Sequence, residues 1–407
     1  MKNKTMLAFA IMLAVSVAGV SQSQGARIDA AAPVYGAAEP NAIPGRYIVV
    51  FRAGAEGHEV TAAVDAAARL GGKVHYTYTD ALQGFAATLP EAALQGLRHN
   101  PNIEYIEADQ TVSLDILTSQ SVSTWNLDRI DQKYLPLNGS FNYLNTGLGV
   151  TAYIIDTGIR PSHAEFADAA YPADPAKRRA SVGYDAVNDG RNGIDCNGHG
   201  THVAGTIGGL NYGVAKDVTL VAVRVLDCSG SGTVSGVVSG VDWVTGHKKA
   251  LAPAVANMSL GGRSSTALDN AVKTSIGSGV TYAVAAGNDR QDACRTSPAR
   301  VPAAITVGAT TLTDARASYS NYGACLDLFA PGSSVTSAWN SSDTATNTIS
   351  GTSMATPNVT GVAALFLQGN WEASPATVSS ALTGSSTKGV VTNPGNKSPN
   401  RLLYTVY

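Results

Sequence analysis

The chain has 407 residues, of which 44% are apolar and only 14% charged, with a formal net charge of −2. The length accommodates one large domain plus a small one, or two medium domains. High hydrophobicity with low charge excludes a disordered chain, and the near-neutral balance supplies no basic field for nucleic acid or acidic lipid.

Lys2 and Lys4 precede an apolar run from Met6 to Val20, and small and polar residues follow from Ser21 to Ala26. Residues 1–26 therefore read as a secretory signal peptide, cleaved between Ala18 and Ala26. The run is too short and too poorly flanked for a membrane anchor, and no later stretch is long enough to span a bilayer. The mature protein is expected outside the cell. Residues 27–44, rich in Ala and Pro, read as a linker.

A patterned region follows. Arg46–Phe51 reads as a strand, and His58–Leu70 carries apolar residues at helical spacing (Val60, Val64, Ala67, Leu70). Lys73–Tyr78 and Gly84–Leu89 read as strands, Pro90 opens a second helix, and Ile103–Asp109 is another strand. The order βαββαβ predicts a small α+β ferredoxin-like unit over 45–112. The polar stretch Thr118–Thr124 reads as an exposed joint of the kind proteases nick.

Residues 118–407 read as the large domain. Gly149–Ile155 is a buried strand that runs into Asp156, and Val218–Val225 is another. Gly236–Thr245 looks helical, Ala254–Met258 is a strand, and Leu268–Ile276 is a helix. Val280–Ala285 and Ile305–Gly308 are strands, and Ser353–Gln368 is a long apolar helix. This alternation predicts a doubly wound α/β domain with a mainly parallel sheet covered on both faces.

Chemistry concentrates in four places. Asp156 closes a strand, where a carboxylate can orient a histidine; taken alone it reads sooner as a turn or cap acid. His199 has glycine on either side, which lets the backbone bring the imidazole close to other groups. His202, three residues on, suggests zinc only superficially, because no Glu stands between the two and no third ligand is apparent; it reads as a core histidine. Ser353 lies at the start of the apolar helix, where free N–H groups and the helix dipole would stabilise an oxyanion, although a serine there is usually a cap. Asn288, just past a strand, can donate to an oxyanion or simply form a turn.

The chain order Asp, His, Ser is that of subtilisin, and differs from chymotrypsin and the α/β-hydrolases. The segments Tyr153-Ile-Ile-Asp156-Thr-Gly, Gly198-His199-Gly-Thr-His-Val-Ala-Gly-Thr and Gly351-Thr-Ser353-Met-Ala-Thr-Pro resemble the three subtilase signatures. Val255-Ala-Asn-Met-Ser-Leu-Gly-Gly262 and Ala285-Ala-Gly-Asn288 add to the likeness, which runs from about Ile43 to Tyr407 and is strongest to aqualysin-type enzymes of the proteinase K branch. The resemblance implies a secreted serine endopeptidase working through an acyl-enzyme, with His199 as general base, Asp156 orienting it, and Ser353 as nucleophile. It implies that Asn288 and the Ser353 N–H hold the oxyanion. Protein and peptide substrates would add a strand along Gly230, Ser231 and Gly232 on one side and Ser259, Leu260 and Gly261 on the other. Ala285, Ala286 and Gly287 would wall an open, apolar first pocket with no acid to select Lys or Arg. The 45–112 unit would be a propeptide that assists folding and inhibits the enzyme until the enzyme cuts it away near Thr118. The product is expected to be a monomer. One departure stands out: Asn358 occupies the place where the family usually has His. A secreted binding protein on the same fold is the alternative, against which the complete set of catalytic residues speaks.

Four cysteines, Cys196, Cys228, Cys294 and Cys325, all fall in the large domain. An even count in an exported chain favours disulfides over buried thiols, and no Cys-x-x-Cys pair offers a metal site. Sequence alone allows three pairings; the resemblance implies Cys196 with Cys228 and Cys294 with Cys325. It also implies structural calcium, with Asp327 and the carbonyls of Pro302 and Ala304 as ligands. Asp128, Asp131 and Gln132, with Asn138 nearby, form a second candidate, and Asp189 with Asp195 a third.

Overall fold

The computed structural model describes residues 31–38, 42–110, 118–122, 124–168, 171, 174–248 and 252–405. The signal peptide, most of the start of the linker and residues 111–117 before the joint lie outside the described residues. The chain divides into two compact units, one of residues up to 37 and 42–111, the other of 38–41 and 112–407.

The first unit runs β1 (Val34–Tyr35), β2 (Ala42–Phe51), α1 (Gly57–Arg69), β3 (Lys73–Tyr78), β4 (Gly84–Thr88), α2 (Glu91–Arg98) and β5 (Ile103–Gln110). Its sheet has the order β1-β5-β2-β4-β3, and the four long strands make the ferredoxin-like arrangement. Both helices turn an apolar stripe to one face of the sheet: Val60, Ala63 and Ala67 from α1, and Ala93, Leu94 and Leu97 from α2, pack with Phe51, Phe85 and Ile106. Two features differ from the sequence reading. Strand β2 starts at Ala42 rather than Arg46, and β1 lies within the stretch read as linker, pairing Val34 with Ile106. Two residues between Pro33 and Gly36 are too few to show a strand period.

The second unit begins with β6 (Thr118–Ser121), α3 (Trp125–Ile130), β7 (Ser140–Tyr143), β8 (Thr151–Asp156) and β9 (Ala180–Asp185). It continues with α4 (His199–Gly208), β10 (Thr219–Arg224), α5 (Val234–His247), β11 (Ala254–Met258), β12 (Gly262–Arg263), α6 (Thr266–Gly277) and β13 (Val280–Ala285). Then come β14 (Thr296–Ser297), β15 (Ile305–Thr310), β16 (Leu328–Pro331), β17 (Val335–Ala338), β18 (Thr346–Ile349), α7 (Thr352–Gly369), α8 (Pro375–Ser385), β19 (Thr387–Lys388) and β20 (Arg401–Leu402).

Nine strands form the main sheet in the order β19-β20-β16-β15-β13-β11-β8-β10-β9, parallel except for the β19/β20 edge pair. Alternate residues of β8 feed two cores. Ala152 and Ile154 join the helices α4, α7 and α8 on one face. Tyr153 and Ile155 join α5 and α6 on the other. Strand order reverses beside β8, since β10 lies on one side of it and β11 on the other. The carboxyl ends of β8, β11 and β13 therefore open onto a crevice, the place where such sheets carry their chemistry. Helix α4 is a departure from the sequence reading: its Gly- and Thr-rich stretch has little helical propensity, and packing against α7 and β8 holds it instead.

Candidate active site

Asp156, the last residue of β8, is wholly buried. Its Oδ1 accepts the Thr157 N–H at 2.8 Å and Nδ1 of His199 at 2.8 Å. A carboxylate acceptor fixes the proton on Nδ1, so the neutral ring presents a bare Nε2. Oδ2 of Asp156 has no partner among the described residues. His199 is the first residue of α4 and retains partial exposure, with 24% of its side chain accessible. Burial opposes its protonation, but the charge and hydrogen bond of Asp156 and the charge of Asp195 outweigh that, and the ring's pKa stands above its ordinary value.

The loop that presents His199 hangs on Asp195. Its Oδ1 accepts the Thr157 hydroxyl (2.9 Å) and the N–H groups of Asn197 and Gly198 (both 2.9 Å). Its Oδ2 accepts the N–H (2.9 Å) and hydroxyl (2.6 Å) of Thr201. Thr157 in turn accepts the Gly200 N–H at 2.9 Å, which ties the strand end to the histidine loop. Gly198 has φ of 111°, and a Cβ there would overlap the Trp339 ring, so only glycine fits. His202 is fully buried, and its Nε2 faces the carbonyls of Val335 (3.1 Å) and Asn347 (3.2 Å). Burial lowers its pKa to about 4. A ring nitrogen directed at two carbonyls is a donor and no metal ligand.

Ser353 sits in the first turn of α7. Its hydroxyl donates to the Ser259 carbonyl at 3.0 Å, while the Ser259 hydroxyl donates to the Ser353 carbonyl at 2.8 Å. Pro357 explains the second bond. It lacks the N–H that would otherwise bond the carbonyl four residues back, so the Ser353 carbonyl is left for Ser259. Asn288 accepts the N–H (2.9 Å) and hydroxyl (3.0 Å) of Thr352 through Oδ1. That fixes its amide, leaving Nδ2 free to donate. A Cβ placed on Gly351 would lie 3.5 Å from the Ser353 N and 3.6 Å from Asn288 Nδ2, so both donors border one hollow that glycine keeps open. Asn321, to which the sequence reading gave no role, clamps the Asn288 loop. Its Nδ2 donates to the Ala286 carbonyl (2.8 Å) and its Oδ1 accepts from Asp289 and Gln291 (both 3.0 Å).

Two cavities flank the segment Leu260–Arg263. One, of about 520 Å³, is lined by His199, by Gly230, Ser231 and Gly232, and by Ser259, Leu260 and Gly261. The other, of about 500 Å³, is lined by Ser353, Asn288, Ala285 and Gly287. Ala286 was expected in the pocket wall and is not there. It is wholly buried and packs with Ala293, Leu326 and Phe329, because the strand period turns it away from its two neighbours. Asn358 is also fully buried. It donates to the carbonyls of Pro331 (3.1 Å) and Met354 (2.9 Å) and accepts from Asn126 (2.8 Å), fastening α7 to α3.

Disulfides join Cys196 to Cys228 and Cys294 to Cys325. The first connects the His199 loop with the segment bearing Gly230 and Ser231. Loops of 32 and 31 residues closed this way are worth roughly 3–4 kcal/mol each in the chain-entropy account.

The acids proposed for calcium are placed differently from one another. Asp327 accepts the Thr306 N–H at 2.8 Å, and burial pushes its pKa up to about 6. Pro302 and Ala304 stand just before β15, whose residue Thr306 meets this carboxylate. Asp131 leaves Oδ1 buried and unpartnered among the described residues, and burial raises its pKa despite the hydrogen bonds from Asn142. Both groups fit a cation's need for an unshared carboxylate oxygen. Asp128 has both oxygens engaged by the N–H groups of Asn138 (3.1 Å) and Gly139 (2.7 Å). Gln132 donates to the carbonyls of Tyr134 (2.6 Å) and Pro136 (2.8 Å). The third candidate dissolves. Asp189 pairs with Arg224, whose hydrogen bonds hold its pKa down to about 2, and Asp195 is saturated by N–H and O–H donors. Counting acids near a loop could not distinguish these cases, since Arg224 lies 35 residues from Asp189 and Thr306 lies 21 residues from Asp327.

A buried carboxylate bonded to a histidine, and a serine at a helix start with two donors facing one hollow, on a doubly wound parallel sheet, make this a serine endopeptidase. The comparisons with known proteins agree. The Subtilase family model matches residues 147–402, and that of Peptidase inhibitor I9 matches residues 46–115. The chain belongs to the subtilase family. It is 55% identical over 396 residues to the extracellular serine proteinase of Thermus sp. (strain Rt41A), covering 92% of this chain and 93% of that one. It is 51% identical over 338 residues to alkaline serine exoprotease A of Vibrio alginolyticus, covering 82% of this chain and 60% of that one. A crystal structure of a cold adapted subtilisin-like serine proteinase matches with 53% identity and a TM-score of 0.66, covering 71% of this chain and all of the other.

Proposed function

We propose that the chain is the precursor of an extracellular, monomeric endopeptidase that cuts its own propeptide away and hydrolyses proteins with broad, mainly apolar and aromatic preference. The observation that carries this reading is the Asp156–His199 bond at 2.8 Å together with the hollow bordered by the Ser353 N–H and Asn288 Nδ2. In the reaction, the Ser353 hydroxyl turns from the Ser259 carbonyl to Nε2 of His199 as substrate enters. A hydroxyl rotor can do this at little cost, and such bonds commonly tighten only with substrate bound. His199 takes the proton, Ser353 attacks the carbonyl carbon, and the oxyanion settles between the two donors. His199 then protonates the leaving amine, and water repeats the sequence on the acyl-enzyme. Asp156 holds the tautomer and faces the ring's positive charge.

The small walls at Ala285 and Gly287 support the apolar preference. The I9 match supports residues 45–112 as chaperone and inhibitor. The signal-like leader and the extracellular relative support export, and no helix among the described residues is long and apolar enough to cross a membrane. Calcium, when bound, would neutralise the carboxylates of Asp327, with Pro302 and Ala304, and of Asp131. It takes no part in the chemistry.

Ser353→Ala tests the whole reading. The variant is expected to accumulate as uncut proenzyme when expressed alone, with hydrolysis down on the order of 10⁶-fold, the loss known for the nucleophile of subtilisin. A serine-directed phosphonylating reagent should label the parent enzyme and not the variant. Normal maturation of the alanine variant in a protease-free host, with a mature chain starting near Thr118, would exclude Ser353 as nucleophile.

A further inference from the structure

The cavity beside Ser353 and Asn288 also carries charged residues in its lining. Arg263 and Arg295 both line it, with Asp289 as the single acid among the lining residues. Arg263 on β12 lies directly opposite Thr296 of β14, and Arg295 is the residue before Thr296, so the pairing of these two short strands brings both arginines to the cavity lining. Both arginines are exposed, and among the described residues neither has an ion pair or a side-chain hydrogen bond. Four other arginines of the unit are matched with acids: Arg129 with Asp314, Arg160 with Asp343, Arg224 with Asp189 and Arg300 with Asp269. Asp289 has Gln291 Nε2 3.4 Å from its Oδ2 and pairs with neither arginine, while Asn321 holds its backbone. The cavity lining thus carries two unmatched cations against one acid.

We infer that Arg263 and Arg295 determine a charge preference within the cleft. At the substrate residue whose carbonyl meets Ser353, an acidic side chain is preferred to its neutral isostere, and a basic one is disfavoured. The inference rests on the reading of Ser353 as nucleophile. A guanidinium fork matches a carboxylate in shape as well as charge. Because the arginines are exposed, the pairing is screened by water and salt, and it adjusts an otherwise apolar preference rather than replacing it.

The test compares kcat/KM of the mature enzyme on peptide anilides identical except for Glu, Gln, Lys, Met or Phe before the scissile bond, at a pH where Glu is ionised. The Glu-to-Gln ratio is expected to exceed one by about two- to fivefold at low salt, the size exposed ion pairs produce. It should fall toward one in molar salt. Arg263→Gln with Arg295→Gln should bring the ratio to one or below at low salt, Arg→Lys at both sites should keep it above one, and Asp289→Asn should raise it. Hydrolysis of all five peptides with a low-salt ratio of one or less in the parent enzyme overturns the charge assignment and leaves the peptidase reading standing. So does a ratio that the double glutamine variant leaves unchanged. Failure to hydrolyse any of the five overturns both.

Discussion

Asp195 and Asp327 are both largely buried acids of the same domain, yet their surroundings treat them in opposite ways. Asp195 accepts five hydrogen bonds from four residues, each from an N–H or O–H donor. Among the described residues the Asp327 carboxylate accepts only the Thr306 N–H, and burial drives its pKa up to about 6. A carboxylate satisfied by donors keeps its charge and acts as an anchor. A carboxylate deprived of water and given few donors must take up a proton or a cation. Asp156 falls between them: one oxygen is doubly engaged, and the other has no described partner. It is the acid for which a neighbouring imidazolium supplies what solvent does not.

Asp156→Asn gives the largest effect. An amide can present its N–H to the ring and select the wrong tautomer, so kcat is expected to drop by about 10⁴-fold with the fold intact. The residual activity carries a second signature. His199 must be neutral to act as a base, so activity falls as pH drops through its raised pKa. The variant removes both contributions of Asp156 to that raising, and burial then pulls the pKa down. The acid limb of kcat/KM should move to lower pH. A limb that stays in place would mean that Asp156 does not govern the ring.

Asp195→Asn sharpens the anchor side of the comparison. Asn can still accept from Thr157, Asn197 and Gly198, but its NH₂ would meet the buried Thr201 N–H. One buried donor left without an acceptor costs about 1–3 kcal/mol. For a domain of this size that lowers the melting temperature by about 2–5 °C. The same change removes a charge that raises the His199 pKa, so the acid limb should again shift downward, by less than in Asp156→Asn. Thermal unfolding and a pH profile on one preparation check both. A variant as stable as the parent would show that the five bonds do not hold the loop.

The comparison also marks what can be read from the chain. Asp156, His199, Asn288 and Ser353 are legible because glycines, strand ends and a helix start surround them locally. Asp195 reads as a calcium candidate beside Asp189, because Thr157, whose hydroxyl it accepts, lies 38 residues away from it in sequence. Asn358 reads as a departure with no stated partner until Asn126, 232 residues distant, is seen to bond with it. Ala286 was misplaced because two neighbours in a strand-to-loop segment face opposite sides. Local pattern carries the chemistry, and tertiary pairing assigns the supporting side chains.

Calcium gives the most direct test of Asp327. A ligand present at a hundred times its Kd stabilises the folded protein by about 2.7 kcal/mol, or about 4 °C for a domain this large. The melting temperature should rise by that order when calcium replaces excess chelator, while initial peptidase activity stays nearly constant. The pH dependence follows from the direction of the Asp327 shift. Its folded pKa is raised, so in chelator the ionised carboxylate weakens the fold above about pH 6, and protonation relieves this as pH falls through 6. Calcium competes with that proton. The calcium-induced rise should therefore be full at pH 8 and shrink as pH is lowered through 6. Asp327→Asn, with no charge to neutralise, should be no less stable than the parent in chelator and should lose most of the calcium response, and any remainder belongs to Asp131. A calcium response of equal size in parent and variant, or one that grows as pH falls, would mean that Asp327 holds no ion and that its burial is compensated in some other way.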